Sequence, residues 1–197
     1  MFLLSRPSVA VVRRFVEEQF ALEFTFSGVG ASAGTPPTGY VVDRVRVKMG
    51  EGEAAFAAGR AALARWEQFR LGWVEPLAPT PGIQVGEVVA IGVRVFGVWW
   101  LNASRIVYVI DEAGPVTRFG FAYGTLPGHA ESGEERFLIE WDRATDEVWY
   151  SILAFSRPRH WLARLGRPLV RRMQRRFGRE SAAAMVRAVE LELSKRG

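Results

Sequence analysis

The sequence lacks cysteine altogether and holds only two histidines and two lysines among its 197 residues. Without cysteine the chain can form no disulfide, no thiolate nucleophile and no zinc–thiolate site. The two histidines and the scattered carboxylates show no metal-ligand spacing, and no glycine-rich nucleotide motif joins a strand to a helix. We therefore expect neither a metal nor a cofactor.

Long apolar runs are also missing. No segment approaches the roughly 20 apolar residues needed to cross a bilayer, and the apolar stretch at the N-terminus is too short for a signal peptide. The sequence thus predicts a cytoplasmic protein without membrane insertion. Its length and its 49% content of hydrophobic residues suit a single domain over residues 1–197 with a well-buried core.

Positive charge is carried almost entirely by arginine. The formal net charge is +5, and 24 of the 26 basic residues are arginines. Nine of them, with no acidic residue between, fall in the stretch from Arg157 to Arg179. One hypothesis for this stretch is a weak anionic-surface or nucleic-acid binder, and the other is an ordinary solvated helix face. Because no aromatic residues alternate with base-reading positions, we expect no specific nucleic-acid partner.

Hydrophobic periodicity divides the chain into helices and strands. Ser8 is a suitable N-cap for an amphipathic helix, residues 53–70 predict an alanine-rich helix, and residues 169–195 predict a long C-terminal helix. Residues 22–26 predict a short strand and residues 28–39 a surface loop. Alternating apolar residues predict the remaining strands, at residues 40–49, 85–99, 104–110, 117–125, 134–141 and 148–155.

This order of elements favours an α+β fold. A curved antiparallel sheet would wrap around the long C-terminal helix and leave an internal cavity between sheet and helix. The order is similar to the helix-grip architecture of START-like (Bet v 1-like) proteins. That similarity is one of topology and carries no function by itself.

Several short motifs lie in order along nearly the whole chain. The most specific are YGTLPGH at residues 123–129 and GEERF at residues 133–137. The others are Arg6-Pro7-Ser8, Gly59-Arg60 with Trp66, Trp73, Val107-Tyr108-Val109, Val148-Trp149-Tyr150 and Phe155-Ser156-Arg157-Pro158. In these motifs the sequence resembles DUF1990, also called UPF0548, a family of uncharacterised proteins. The resemblance implies no catalytic residue, because the family has no assigned activity.

The two most specific motifs also contain the candidate acid and base. His129 follows a Pro-Gly turn with Glu135 close behind, and a histidine near a carboxylate is a common acid–base arrangement at neutral pH. By alternation Glu135 shares a face with Phe137 and Trp141, where a carboxylate needs a partner or a ligand. In the alternative interpretation His129 only hydrogen-bonds the turn, and the nearby glutamates are solvated.

Aromatic and polar residues of the predicted strands are the candidate ligand-binding residues. The aromatic side chains among them could line a pocket, but they could equally belong to the hydrophobic core. The leading hypothesis is a protein that binds a small apolar or aromatic ligand in the cavity. The second is an enzyme that acts on a small organic substrate there, with His129 and Glu135 as acid and base. The candidate binding residues are Tyr123, Thr125, Trp73, Phe137, Trp141 and Trp149.

Overall fold

The computed structural model describes residues 1–77, 82–159 and 166–195. Within these residues the α-helices are α1 (Val9–Phe20), α2 (Gly52–Ala64) and α3 (Arg167–Ser194). Short 3₁₀ turns occur at Ala31–Ala33 and Glu67–Phe69. The strands are β1 (Phe2–Leu3), β2 (Val41–Glu51), β3 (Val74–Pro76), β4 (Val88–Val95), β5 (Val98–Glu112), β6 (Val116–Thr125), β7 (Glu131–Asp142) and β8 (Glu147–Pro158).

The strands form one antiparallel sheet in the order β2-β8-β7-β6-β5-β4-β3, and β1 pairs with the start of β5. From β3 to β8 each strand pairs with its neighbour in sequence, whereas β2 pairs with β8. Register shifts in β2 and β5 mark bulges, which bend the sheet. The curved sheet grips α3, so the predicted helix-grip α+β fold is confirmed.

The helix α3 starts with a proline in its first turn, where the missing N–H costs nothing. Its C-terminal half is the packed part, because Met185 and Val189 are completely buried in the main core between the sheet and α2. Its N-terminal half carries Met173 and Phe177, which both line a cavity, and Phe177 also packs against the edge of the core.

The alanine-rich helix α2 lies close against the sheet. A Cβ on Gly59 would sit 2.9 Å from Met49 Cε and 3.3 Å from Ile139 Cδ1, so a larger residue there would push the ends of both side chains aside. The helix ends at Ala64, six residues before the predicted end. It stops because Trp66 takes a left-handed conformation with φ at 61° and turns its ring into the core, where it is 1% exposed.

The helix α1 begins as predicted, with Ser8 Oγ accepting a hydrogen bond from Val11 N. It packs on the outer face of the sheet, where Val12 and Phe15 join a second, smaller apolar cluster with residues of β4 and β5. No helix among the described residues is long and apolar enough to span a membrane.

Two local predictions are wrong. Residues 22–26 form no strand. The boundary expected near Asn102 lies at Phe96-Gly97 instead, where positive φ angles of 49° and 81° make a two-residue hairpin turn, and β5 runs straight through Asn102. The loop at residues 28–39 lies at the surface as predicted, and it is tied to the sheet because Ser32 is completely buried and hydrogen-bonds a glutamate of β7.

Candidate ligand-binding cavity

A cavity of about 700 Å³ lies between the concave face of the sheet and the N-terminal half of α3. It exists because α2 and the C-terminal half of α3 fill only one end of the sheet. Small residues such as Ala154 and Gly178 line the other end. Apolar side chains form much of the wall, among them Phe69, Trp73, Val93, Trp100, Ile152 and Phe177.

A carboxylate and a phenol form a hydrogen-bonded pair in this wall. Tyr123 of β6 and Glu135 of β7 are directly opposite each other in the sheet, and the Tyr123 hydroxyl donates to Glu135 Oε2 at 2.7 Å. Burial raises the pKa of Glu135 to about 7, an effect that the Tyr123 hydrogen bond opposes and the charge of Asp43 reinforces. Burial also raises the pKa of Tyr123 well above its usual value, so the phenol stays a donor.

His129 is positioned by the turn that precedes β7. Its backbone N–H donates to Leu126 O at 2.9 Å, and Gly128 N donates to Gln19 Oε1 of α1 at 2.6 Å. Gly128 must be glycine because a Cβ there would lie 2.6 Å from the Phe15 ring. The turn is therefore clamped between α1 and the sheet, with His129 among the residues that line the cavity.

The imidazole of His129 is neutral at physiological pH. Burial lowers its pKa to about 4, and Nδ1 accepts a hydrogen bond from Glu131 N at 3.0 Å. The proton therefore resides on Nε2, for which the described residues provide no hydrogen-bond acceptor. His129 can donate one hydrogen bond to a ligand, and it hydrogen-bonds its own turn as well.

A second buried carboxylate, that of Glu131, also lines the cavity. Its Oε2 accepts from Ser156 Oγ at 3.2 Å and from Gln174 Nε2 at 3.4 Å, whereas its buried Oε1 has no partner among the described residues. Burial raises its pKa. Sequence reasoning missed this residue, although Glu131 lies four positions before Glu135 and so shares its strand face.

Glu134 hydrogen-bonds the loop at residues 28–39. Alternation along β7 puts Glu134 on the face opposite Glu135, which predicts exposure to water, but it is 2% exposed, and its carboxylate accepts from Gly30 N at 2.6 Å and Ser32 N at 2.8 Å. Ser32 Oγ also donates to it at 2.5 Å. Alternation alone could not reveal this, because the loop that covers Glu134 is about a hundred residues away in sequence.

Comparison with known proteins gives the family. Residues 25–184 match the model described as "Domain of unknown function (DUF1990)". The chain belongs to the DUF1990 family. It is 34% identical to a "UPF0548 protein" of Dictyostelium discoideum, with 96% of each chain covered. It is 39% identical to a "UPF0548 protein" of Deinococcus radiodurans, with 95% of this chain and 98% of the relative covered.

Among solved structures, this DUF1990 protein is similar to human STARD10. The TM-score is 0.45 at 11% identity, with 94% of this chain and 80% of the other covered. At that TM-score neither a function nor a ligand is transferred.

Three of the candidate binding residues of this DUF1990 protein line the cavity, namely Trp73, Tyr123 and Thr125. Trp73 is fixed by its Nε1, which donates to Glu180 Oε2 of α3 at 2.5 Å. Thr125 Oγ1 accepts from Gly133 N at 2.9 Å and so closes the end of the β6–β7 hairpin.

The other three candidates lie outside the cavity. Phe137 is completely buried in the core, and Trp141 packs against Phe56 of α2. Both share the inner face with Glu135, as alternation predicts, but α2 covers that end of the face. Trp149 lies on the opposite face of β8, where the Arg46 guanidinium stacks on its ring at 4.1 Å.

The arginine-rich stretch of the DUF1990 chain does not form one uniform surface. Arg171 binds Asp43 of β2 through two hydrogen bonds of 2.6 and 2.7 Å, and Arg159 donates to Pro127 O at 2.7 Å. Arg175 and Arg179 are exposed and contribute to the cavity lining. The part of this stretch at residues 160–165 lies outside the described residues. No three His, Asp or Glu side chains of the described residues are grouped to hold a metal ion.

Proposed function

We propose that the protein binds a small, largely apolar molecule in the cavity between the sheet and the N-terminal half of α3. The observation that carries this proposal is the cavity itself. Its volume of about 700 Å³ lies within the range of roughly 300–1,000 Å³ that small-molecule sites occupy. A void of that size in a helix-grip fold costs dispersion contacts, so a protein that keeps it empty would forfeit stability.

Three polar groups of the wall come from one hairpin. Glu135, its partner Tyr123 and the neutral His129 lie on or next to the β6–β7 turn. Apolar walls with a small number of fixed polar groups give a ligand both affinity and a single orientation. The hairpin therefore supplies orientation, and the aromatic wall supplies the contact area.

The proposal predicts that a larger side chain in the cavity wall weakens ligand binding. Ala154 lies in the cavity wall opposite Glu135, so Ala154→Phe should weaken binding of the neutral apolar probe diphenylhexatriene by about tenfold or more, measured by fluorescence titration. Ala113→Phe, which adds the same ring at an exposed turn, is the matched control. Unchanged probe binding in a folded Ala154→Phe protein would contradict the proposal.

An enzyme acting in the same cavity is the second candidate. The pKa of Glu135, about 7, suits a group that must both accept and donate a proton near neutral pH. His129, with a pKa of about 4, would serve as a neutral hydrogen-bond donor through Nε2, not as the acid.

This second candidate predicts proton exchange on bound molecules. Small carbonyl compounds that displace the probe should exchange C–H for deuterium in D₂O, and Glu135→Gln should abolish that exchange, measured by NMR. If compounds bind without any exchange, the result would contradict the enzymatic function but not the binding function.

A further inference from the structure

We infer that the cavity selects a ligand with a protonated amine on an apolar body, the ammonium group lying against Glu135. This inference rests on the proposed function and specifies the chemistry of its ligand. It follows from which charges inside the cavity have a partner and which do not.

Neither Glu135 nor Glu131 forms an ion pair with a cation of the described residues. Glu135 is bonded only to the Tyr123 hydroxyl and Glu131 only to a serine and a glutamine, and the charge of Arg171 acts on Glu131 without a direct contact. A buried carboxylate is costly unless it is paired with a cation or takes up a proton. The other two acidic groups of the wall do not compete for a ligand cation, because Asp43 is paired with Arg171 and Glu134 accepts hydrogen bonds from Gly30 N and Ser32 N.

Glu131 adds an independent observation. It is 9% exposed, it lines the cavity, and its buried Oε1 has no hydrogen-bond partner among the described residues. An orphaned buried carboxylate oxygen requires a donor, and the ligand is the group that the cavity would bring there. Since Glu131 and Glu135 are four positions apart on one strand, a ligand along β7 reaches both over about 13 Å.

Aromatic rings beside Glu135 keep its surroundings apolar. The Phe69 ring stacks on Tyr123 at a centroid distance of 6.1 Å and on Phe177 at 5.4 Å, and all three side chains line the cavity. Water there screens the attraction between Glu135 and a ligand cation only weakly. The exposed arginines Arg44, Arg175 and Arg179 lie at the solvent side of the lining, so they do not neutralise the buried carboxylates.

The groups that act on Glu135 from the neighbouring elements determine how binding couples to protons. They are Tyr123 on β6, Tyr150 on β8 and Asp43 on β2, and none of them is cationic. A bound ammonium would lower the pKa of Glu135 from about 7, so amine binding near pH 7 releases a proton. This release appears in calorimetry as a binding enthalpy that depends on the buffer.

The test compares phenylbutylamine, phenylbutanol and phenylbutyrate, which share one apolar body, as competitors of diphenylhexatriene. We expect the amine to displace the probe at a concentration about tenfold lower than the alcohol, and the carboxylate to be the weakest. Glu135→Gln should bring amine and alcohol to about equal strength, each measured relative to the affinity of that variant for the probe. Glu140→Gln, on the opposite face of β7, should keep the preference for the amine.

The outcomes separate the two proposals. Failure of the wild-type protein to bind the probe and all three competitors would reject the proposed function itself. Probe binding with equal displacement by amine and alcohol would reject only the amine inference. Strongest displacement by the carboxylate would also overturn it and would assign selectivity to the arginines at the mouth. Because glutamine has nearly the shape of a protonated glutamate, the Glu135→Gln protein should fold. A thermal melt checks this.

Discussion

Glu135 is the residue at which stability and the proposed function conflict. It occupies an inward-facing position of β7 between apolar neighbours, where an apolar side chain would pack without any desolvation cost. The Tyr123 hydrogen bond offsets only part of that cost, since the pKa of Glu135 still lies at about 7. A carboxylate in this position supports the proposed role in ligand binding, because a purely structural strand would not need it.

We therefore predict an unusual dependence of stability on pH. The folded protein holds the Glu135 proton up to about pH 7, whereas the unfolded chain loses it near the ordinary value of 4.5. Because the folded state binds more protons between these values, the free energy of unfolding falls as pH rises through this window and levels off above it. The difference corresponds to about 3 kcal/mol.

Glu135→Gln should remove this loss. The variant should match the wild type near pH 4 and be more stable above about pH 7, measured by chemical denaturation across the range. Glu140→Gln is the control, since its carboxylate is partly exposed and paired with Arg118. If Glu135→Gln were instead less stable at every pH, the Tyr123–Glu135 pair would be a structural strut.

At the scale of elements, α3 has two halves with different tasks. Met185→Ala in the packed half should lower the free energy of unfolding by about 3 kcal/mol, because it leaves a void in a completely buried site. Phe177→Ala in the cavity half should cost about half as much, because that ring already borders a void and keeps only one side packed, against Phe69.

Chemical denaturation of the two variants checks the order of these losses. Leu191→Ala, at a 60% exposed position of the same helix, is the control and should change stability by less than about 0.5 kcal/mol. A larger loss for Phe177→Ala than for Met185→Ala would show that the N-terminal half of α3 is the packed one.

Most elements could be predicted from periodicity, and the errors have physical causes. Residues 53–70 look helical throughout, and only the tertiary fit of the Trp66 ring explains why α2 stops early. The Phe96-Gly97 turn escaped notice because phenylalanine seldom adopts a positive φ. Alternation placed Tyr123 and Glu135 on one inner surface, but it could not show that α2 covers Phe137 and Trp141.

At the scale of the whole molecule, the described arginines of the arginine-rich stretch make different contacts and do not form a single binding surface. Arg171 ties α3 to β2, Arg157 lies over the Tyr40 ring, and Arg176 pairs with Glu180 while covering Trp73. Weak binding to anionic surfaces therefore stays a prediction for the exposed remainder, of which Arg175 and Arg179 also border the cavity. A surface of that kind attracts anions without base-specific contacts, so such binding would weaken as salt rises.

The pairing of β2 with β8 has a consequence for the order of events during folding. Val41 pairs with Ser156, 115 positions later, whereas β3 to β8 pair as a succession of neighbours. The neighbouring hairpins close short loops and can form early, but β2 must wait for the final strand of the sheet. Until that moment both β2 and the inner surface that later grips α3 are uncovered. We therefore expect the closure of β2 on β8, which also creates the cavity, to be the slowest step of folding, and a chain halted before β8 would expose an unpaired strand to aggregation.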